Sequence, residues 1–308
     1  MPNLTMLLDP SVFMLFEVDT RCVEWPVSRK SGFVEMNQTS DGIVNDNLSG
    51  EASGHPAWLL LEDGPLIAVN KPAGILTEGI PAGEQTMVGL VKAWLAEKYA
   101  KPGNVYLGIP HRLDRATSGT MVFTRNSKTA ARVAEQFEKR QVSKTYWAIL
   151  ENRPESDSGL LVDWLLKVPD RAISEVVASE KPKGKEARLE YRILREVERG
   201  WLVEVNLLTG RMHQIRVQFS SRGCAVVGDT KYGAAAWLDD AAAVEPANEI
   251  EPAAMAGADD VSGDRLTIAA SDIRIALHAR SLSLQHPIRY DRLTLETPVP
   301  AYWNLTGD

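Results

Sequence analysis

Three short segments of the chain carry side chains able to do chemistry, and the first is residues 111–119. There His111-Arg112-Leu113-Asp114-Arg115-Ala116-Thr117-Ser118-Gly119 sets one carboxylate between two arginines and closes on two hydroxyls and a glycine. Pro110 restricts Ile109 to extended backbone, and Thr117-Ser118-Gly119 supplies a polar turn ahead of an apolar strand at 120–124. Asp114 is therefore expected in a loop feeding a sheet edge, where a scaffold can display a reactive carboxylate. Taken alone, such an aspartate is more often an Asx turn with arginines as surface partners. The second segment, residues 208–217, places Arg211, His213 and Arg216 at or near the start of a helix, a location suited to anions. Arg216 follows Ile215 and flanks the apolar stripe, so it is expected to point into a cleft, although a lone arginine there usually snorkels to solvent. In the third segment, Lys144-Thr145-Tyr146-Trp147-Ala148, Tyr146 and Trp147 face opposite sides of a strand. A single tyrosine in that setting is more often a core aromatic.

Some chemistries find no support. Glycoside hydrolysis needs two carboxylates flanking one bond, and around Asp114 there are only arginines and hydroxyls. His111, His213, His278 and His286 lack the spacing of a zinc site, so no metal is expected. Cys22 and Cys224 are far apart, without a Cys-x-x-Cys pair, which argues against a disulfide framework.

The elements that must position these segments can be read from apolar spacing. A strand is expected from Leu66-Ile67-Ala68-Val69, stopped by the turn Asn70-Lys71-Pro72-Ala73-Gly74. Thr86 is expected to cap a helix carrying Val88, Val91, Trp94 and Leu95 on one face. Ser127 is expected to cap another, with Ala130, Val133, Ala134 and Phe137 buried. Strands are expected at 145–150, 187–194, 201–208, 273–277 and 282–284, and a short helix built on Met212, Ile215 and Phe219 is expected to end near Gly223. Strands with interspersed helices, several of them hairpin neighbours, predict an α+β fold. Its core is expected to be a central mixed, largely antiparallel sheet flanked by helices and loops. Residues 1–58 lack sustained periodicity and read as a partly disordered extension with one or two early strands. Residues 234–264 are dominated by Ala, Asp, Glu and Pro and read as a flexible acidic insertion.

Charge is divided unevenly along the 308 residues. The net charge is −7, but residues 1–64 carry ten acids against three bases, and residues 239–264 carry eight acids and no base. Setting those two segments aside leaves a body of +8, with ten Lys or Arg against four Asp or Glu between Glu97 and Lys144. That distribution permits phosphate contacts. No apolar run approaches the roughly 18 residues needed to span a bilayer. Asp9-Pro10 interrupts the apolar start and no basic segment precedes it, so a cytoplasmic protein is expected, without signal peptide or membrane partner.

Together these strings resemble the RluA family of pseudouridine synthases. The resemblance rests on Asn70-Lys71-Pro72-Ala73-Gly74, the whole of 111–119, Lys144-x-Tyr146-x-Ala148, and Gly210-Arg211-x-His213-Gln214-Ile215-Arg216-Val217. It continues through Gly228-Asp229-x-Lys231-Tyr232-Gly233 and Leu277-His278-Ala279 to His286-Pro287. It covers the chain from about residue 59 onward, implying a catalytic domain at 59–308 behind an extension at 1–58 that holds no recognisable S4-type RNA-binding module. Met212 and Gln218 stand where the family more often has Thr and His, and adjusted packing is expected there.

The family reaction breaks the N1–C1′ bond of uridine, turns the base and rejoins it through C5. By resemblance Asp114 is the catalytic carboxylate, which either attacks the sugar or promotes a glycal intermediate. Both routes need it ionised and desolvated, and Arg216 is its expected charge partner. Were that pair buried, removing one member would cost about 3–5 kcal/mol. Tyr146 is expected to stack on the uracil, and Arg112 to help hold the uridine flipped out of its stack. Lys71, Arg115, Lys144 and Arg211 are candidate phosphate contacts, and His213 a further substrate-binding residue. No cofactor is implied. The implied partner is ribosomal or transfer RNA, met by a monomer. A binding protein that keeps the scaffold without turnover is the competing reading.

Overall fold

The structure is a computed structural model that describes residues 55–79, 85–169, 171–179, 181–237 and 274–305. The early strands expected within 1–54, and the acidic stretch from 238 onward, lie outside the described residues. Among the described residues ten strands form one mixed sheet. In chain order they are β1 (Leu59–Asp63), β2 (Leu66–Lys71), β3 (Ser118–Thr124), β4 (Ser143–Leu150), β5 (Ser158–Val168), β6 (Ile173–Val177), β7 (Lys185–Val197), β8 (Gly200–Leu207), β9 (Leu277–Gln285) and β10 (Arg292–Glu296). Three helices, α1 (Met87–Lys98), α2 (Ser127–Glu138) and α3 (Gln214–Ser220), pack on it. The spatial order is β1-β2-β3-β9-β4-β8-β7-β5-β6, with β10 also on β9, and every pairing is antiparallel except β3 with β9. The α+β architecture read from the sequence is the one observed. Among the described residues no helix is long and apolar enough to cross a membrane.

Strands β2 and β3 are buried almost throughout because each face has its own cover. Ile67, Val69, Met121 and Phe123 pack with Val91 and Leu95 of α1, while Leu66, Ala68 and Val122 on the other face pack with Val133 of α2. Two-sided burial explains why these strands read as continuous apolar runs. In the other half, Ile215 and Phe219 of α3 pack on β4, β7 and β8 through Ala148, Leu189 and Val203. Tyr146 touches both cores, which places it at the junction of the two halves.

Thr86 caps α1 as expected, its hydroxyl accepting from the Gly89 N–H at 3.1 Å, an interaction worth about 1 kcal/mol. The buried face of α1 is Met87, Leu90, Val91 and Leu95, one step round from the expected stripe. For α2 the cap is Asn126, not Ser127, because its longer carboxamide reaches the Thr129 N–H at 2.9 Å. Ala134 faces solvent, and Gln136 takes the buried place by bonding both backbone groups of Gln285.

Of the two strands expected near the C-terminus, the second lies within a longer strand, β9, whose polar centre is paired by β4 and β10, whereas the described residues 274–276 of the first are not strand. The hairpin of β5 and β6 was not expected. Leu160 and Val162 are exposed while Leu161 and Leu165 are buried, so its apolar residues fall on both faces and no period of two shows. Residues 234–237 do not belong to a flexible insertion as expected: Ala234 and Trp237 are buried, so the packed chain runs on to 237. The loop of Asp114 feeds a central strand instead of a sheet edge, since β3 has neighbours on both sides. Gly119 explains how that strand fits: at φ +115°, a Cβ there would stand 2.4 Å from the Ala279 carbonyl oxygen of β9. Only glycine allows the parallel pair Gly119 with Ala279 to close.

Candidate active site

The Asp114 loop is held on both sides. His111 accepts the Val122 N–H at Nε2 over 3.0 Å and stacks on Phe137. Burial pushes its pKa down to about 3, so the ring stays neutral and can act as that acceptor. The Thr77 hydroxyl donates to the Leu113 carbonyl and accepts its N–H, at 2.9 and 3.3 Å. After the aspartate, the Thr117 N–H returns to the Asp114 carbonyl at 3.1 Å, and the Arg115 carbonyl accepts from the Gly74 N–H at 2.8 Å.

Lys71 completes that clamp. Its side chain is fully buried, and Nζ donates to the carbonyls of Pro72, Ile75 and Arg115 at 2.9, 2.8 and 3.2 Å. This corrects its expected role as a phosphate contact, because a buried ammonium with three acceptors has nothing left to offer RNA. Burial lowers its pKa to about 7, with Asp114 opposing and Arg115 reinforcing that shift. Three carbonyls satisfy three N–H groups, so the site is built for the charged form. Arg115, another expected phosphate contact, donates Nε to the Gly74 carbonyl at 2.9 Å.

Asp114 lines a cavity of about 820 Å³ whose wall includes Arg112, Thr117, Lys144, Tyr146, Arg211, His213 and Arg216. Its carboxylate is 30% exposed, with Oδ2 lying 3.4 Å from Arg216 Nη1 and 3.7 Å from His213 Nε2. Among the described residues Oδ1 has no partner, which leaves one carboxylate oxygen free.

Arg216 belongs first to another acid. Its Nε and Nη2 donate to Asp229 Oδ2 and Oδ1 at 2.6 and 2.7 Å, and both side chains are at most 5% exposed. Asp114 takes only the remaining Nη1, at a long distance for a hydrogen bond. Burial works against the Arg216 charge, but the bonds and charge of Asp229, helped by Asp114, hold its pKa above the ordinary value. The expected buried pair is thus Arg216 with Asp229, not with the half-exposed Asp114. Asp229 sits in a string the sequence singles out, but its role does not follow from that string. Its neighbour Tyr232 packs its ring against the guanidinium at 5.0 Å.

Hydrogen accounting sets the state of His213, whose backbone is left-handed at φ +55°. The Tyr232 hydroxyl accepts the Ser174 N–H at 2.8 Å, so its own proton goes to His213 Nδ1 at 2.9 Å. Burial lowers the His213 pKa, with Asp114 opposing and Arg216 reinforcing, and the ring is neutral. The remaining ring proton then lies on Nε2, facing Asp114.

Tyr146 enters the cavity beside a bulge: Thr145 pairs with Ser281 but Trp147 with His278, so β9 carries an extra residue there. Burial, then Asp114, push the phenol pKa up, and Tyr146 remains a neutral ring. Arg112 stands exposed at the cavity edge and pairs with Glu78 at 2.8 Å. Arg211 lines the wall and donates Nε to the Glu186 carbonyl at 2.9 Å. Gln218 is fully buried and donates to Asp163 at 2.6 Å. Among the described residues no group of three or more His, Cys, Asp or Glu is placed to hold a metal ion.

Residues 65–221, just over half of the chain, match the RNA pseudouridylate synthase family. Ribosomal large subunit pseudouridine synthase D of Vibrio parahaemolyticus is 30% identical over 295 residues, 96% of this chain and 81% of that one. Ribosomal large subunit pseudouridine synthase C of Rickettsia bellii is 32% identical over 177 residues, 57% of this chain and 56% of that one. The match therefore spans little more than half the length of the Rickettsia protein. Human RNA pseudouridylate synthase domain containing 4 shares the fold, with a TM-score of 0.58 at 24% identity over 80% of this chain and 90% of that one. The chain belongs to the RNA pseudouridylate synthase family, whose members are isomerases.

Proposed function

We propose that this chain isomerises uridine to pseudouridine in RNA, with Asp114 as the catalytic carboxylate and ribosomal RNA as the substrate class. The observation that carries the reading is the Asp114 carboxylate itself, held in a large cavity by Arg216 and His213 with Oδ1 free. Of the two RNA classes the sequence suggests, ribosomal RNA is favoured because the relatives in Vibrio and Rickettsia are named for the large ribosomal subunit.

Isomerisation conserves every atom of the nucleoside and needs no redox partner. The N1–C1′ bond breaks, the uracil turns, C5 bonds to C1′, and the C5 proton leaves while N1 gains one. Attack at C1′ and withdrawal of the C2′ proton both draw on an ionised oxygen, and Oδ1 of Asp114 is available for either. Arg216 Nη1 and His213 Nε2 face its other oxygen, Oδ2, and leave Oδ1 pointing at the cavity. Tyr146 offers a flat, neutral face for the detached uracil. Flipping the uridine into the cavity costs a few kcal/mol, and Arg112 at the rim is placed to fill the gap left behind. A monomer as the working unit belongs to the same reading, and ribosomal substrates favour a cytoplasmic location.

The test is tritium release from RNA transcribed with 5-tritiated uridine. Wild type should release tritium, and Asp114→Ala should not. Release surviving in Asp114→Ala would sink the assignment, and no release from wild type would favour a binding protein.

A further inference from the structure

A second cavity, of about 500 Å³, opens where β4 begins and β8 ends. It shares Phe137, Arg140, Lys144, Leu207 and Leu208 with the Asp114 cavity, so the two form one groove. Arg188 of β7 lines its far part. Most arginines among the described residues have an acidic or carbonyl partner, as Arg125 has Glu62, Arg192 has Glu204 and Arg222 has Asp163. By contrast, among the described residues the side chains of Arg140, Lys144 and Arg188 make no hydrogen bond or ion pair. Glu190 is the acidic group lining the second cavity, and it pairs with none of the three.

Lys144 makes the arrangement informative. It is half-buried, and burial together with Arg140 lowers its pKa. Holding a desolvated ammonium beside a second cation is unfavourable unless an anion arrives to offset it. Leu208, 37% exposed, adds apolar surface in the same groove.

We propose that this groove carries the phosphodiester backbone of the RNA strand running out from the reactive nucleotide. Lys144 meets the phosphate nearest the Asp114 cavity, and Arg140 and Arg188 meet phosphates farther along. The inference rests on the isomerase reading above and names how that site holds its strand.

Two measurements on the full chain test it. Binding of a fluorescein-labelled oligouridylate is followed between about 50 and 200 mM salt, and tritium release from large-subunit ribosomal RNA gives KM and kcat. Arg140→Gln and Arg188→Ala should each lower the slope of log K against log salt by about 0.7, the share of one phosphate on a single strand. Each should raise KM more than it lowers kcat. Lys167→Gln, the same charge loss on exposed β5 outside both cavities, should leave the slope at its wild-type value. Wild-type slope and KM in both arginine variants would overturn the proposal, as would a groove that takes an acidic protein and not RNA. The two readings fail separately. Wild type that binds with full slope but releases no tritium sinks the isomerase, whereas tritium release with unaltered arginine variants sinks the groove alone.

Discussion

The floor of the Asp114 cavity and the groove that continues from it handle charge in opposite ways. On the floor Arg216 is bound by two bonds to Asp229, its guanidinium is covered by Tyr232, and Tyr232 in turn holds His213. In the groove the side chains of Arg140, Lys144 and Arg188 have no partner among the described residues. A charge already paired in the folded protein can position a neighbour but has little left for a ligand. An unpaired one contributes nothing to the fold and is free for an anion. The contrast separates residues that position Asp114, the proposed reacting carboxylate, from residues proposed to hold the strand.

The sharpest way to break the contrast is on the floor. Asp229→Asn leaves the Arg216 charge buried without its counterion and is expected to cost about 3–5 kcal/mol in urea unfolding. It should also lower kcat by misplacing Nη1. A loss confined to KM would mean that the floor does not position Asp114.

Next in size is an effect of pH. His278, hydrogen-bonded to Ser118 and Thr297, is held neutral by burial, aided by Arg280, with its pKa lowered from 6.5 to about 4. The unfolded chain takes up this proton first, so the contribution is complete above pH 6.5 and is lost as pH falls toward 4. The loss amounts to about 3 kcal/mol. His111 acts in the same direction. Urea midpoints of wild type should fall between these values, and those of His278→Gln should fall less. Parallel curves would contradict a neutral His278.

The smallest expected change in stability is in the groove. Arg188→Ala should stay within about 0.5 kcal/mol of wild type in unfolding. Its RNA affinity should fall about tenfold, or about 1.4 kcal/mol. Destabilisation without loss of affinity would reverse the contrast.

The sequence made the contents of the site legible but not its wiring. Asp114, Tyr146 and Arg216 lie in distinctive strings, and the fold does bring them to one cavity. Asp229 was overlooked because its pairing with Arg216 depends on α3 packing against the turn at 228–233, which no local pattern records. The role of Lys71 is not legible because a lysine in a Pro-Gly turn looks the same whether it faces solvent or three buried carbonyls. Trp237 was grouped with an acidic stretch because its neighbours are alanines and aspartates, yet its ring packs against Tyr302. The strands with two-sided cover were plain as apolar runs. The β5–β6 hairpin was not, since Leu160 and Val162 stay in solvent.

The central claim is that Asp114 reacts while other groups hold the RNA. Asp114→Asn keeps the size of the side chain and removes its charge, so binding and tritium release can be measured on the same transcript. The expected result is an RNA affinity within about threefold of wild type with tritium release lowered by about 10⁴-fold or more. Tritium release near the wild-type rate from that variant would contradict the claim.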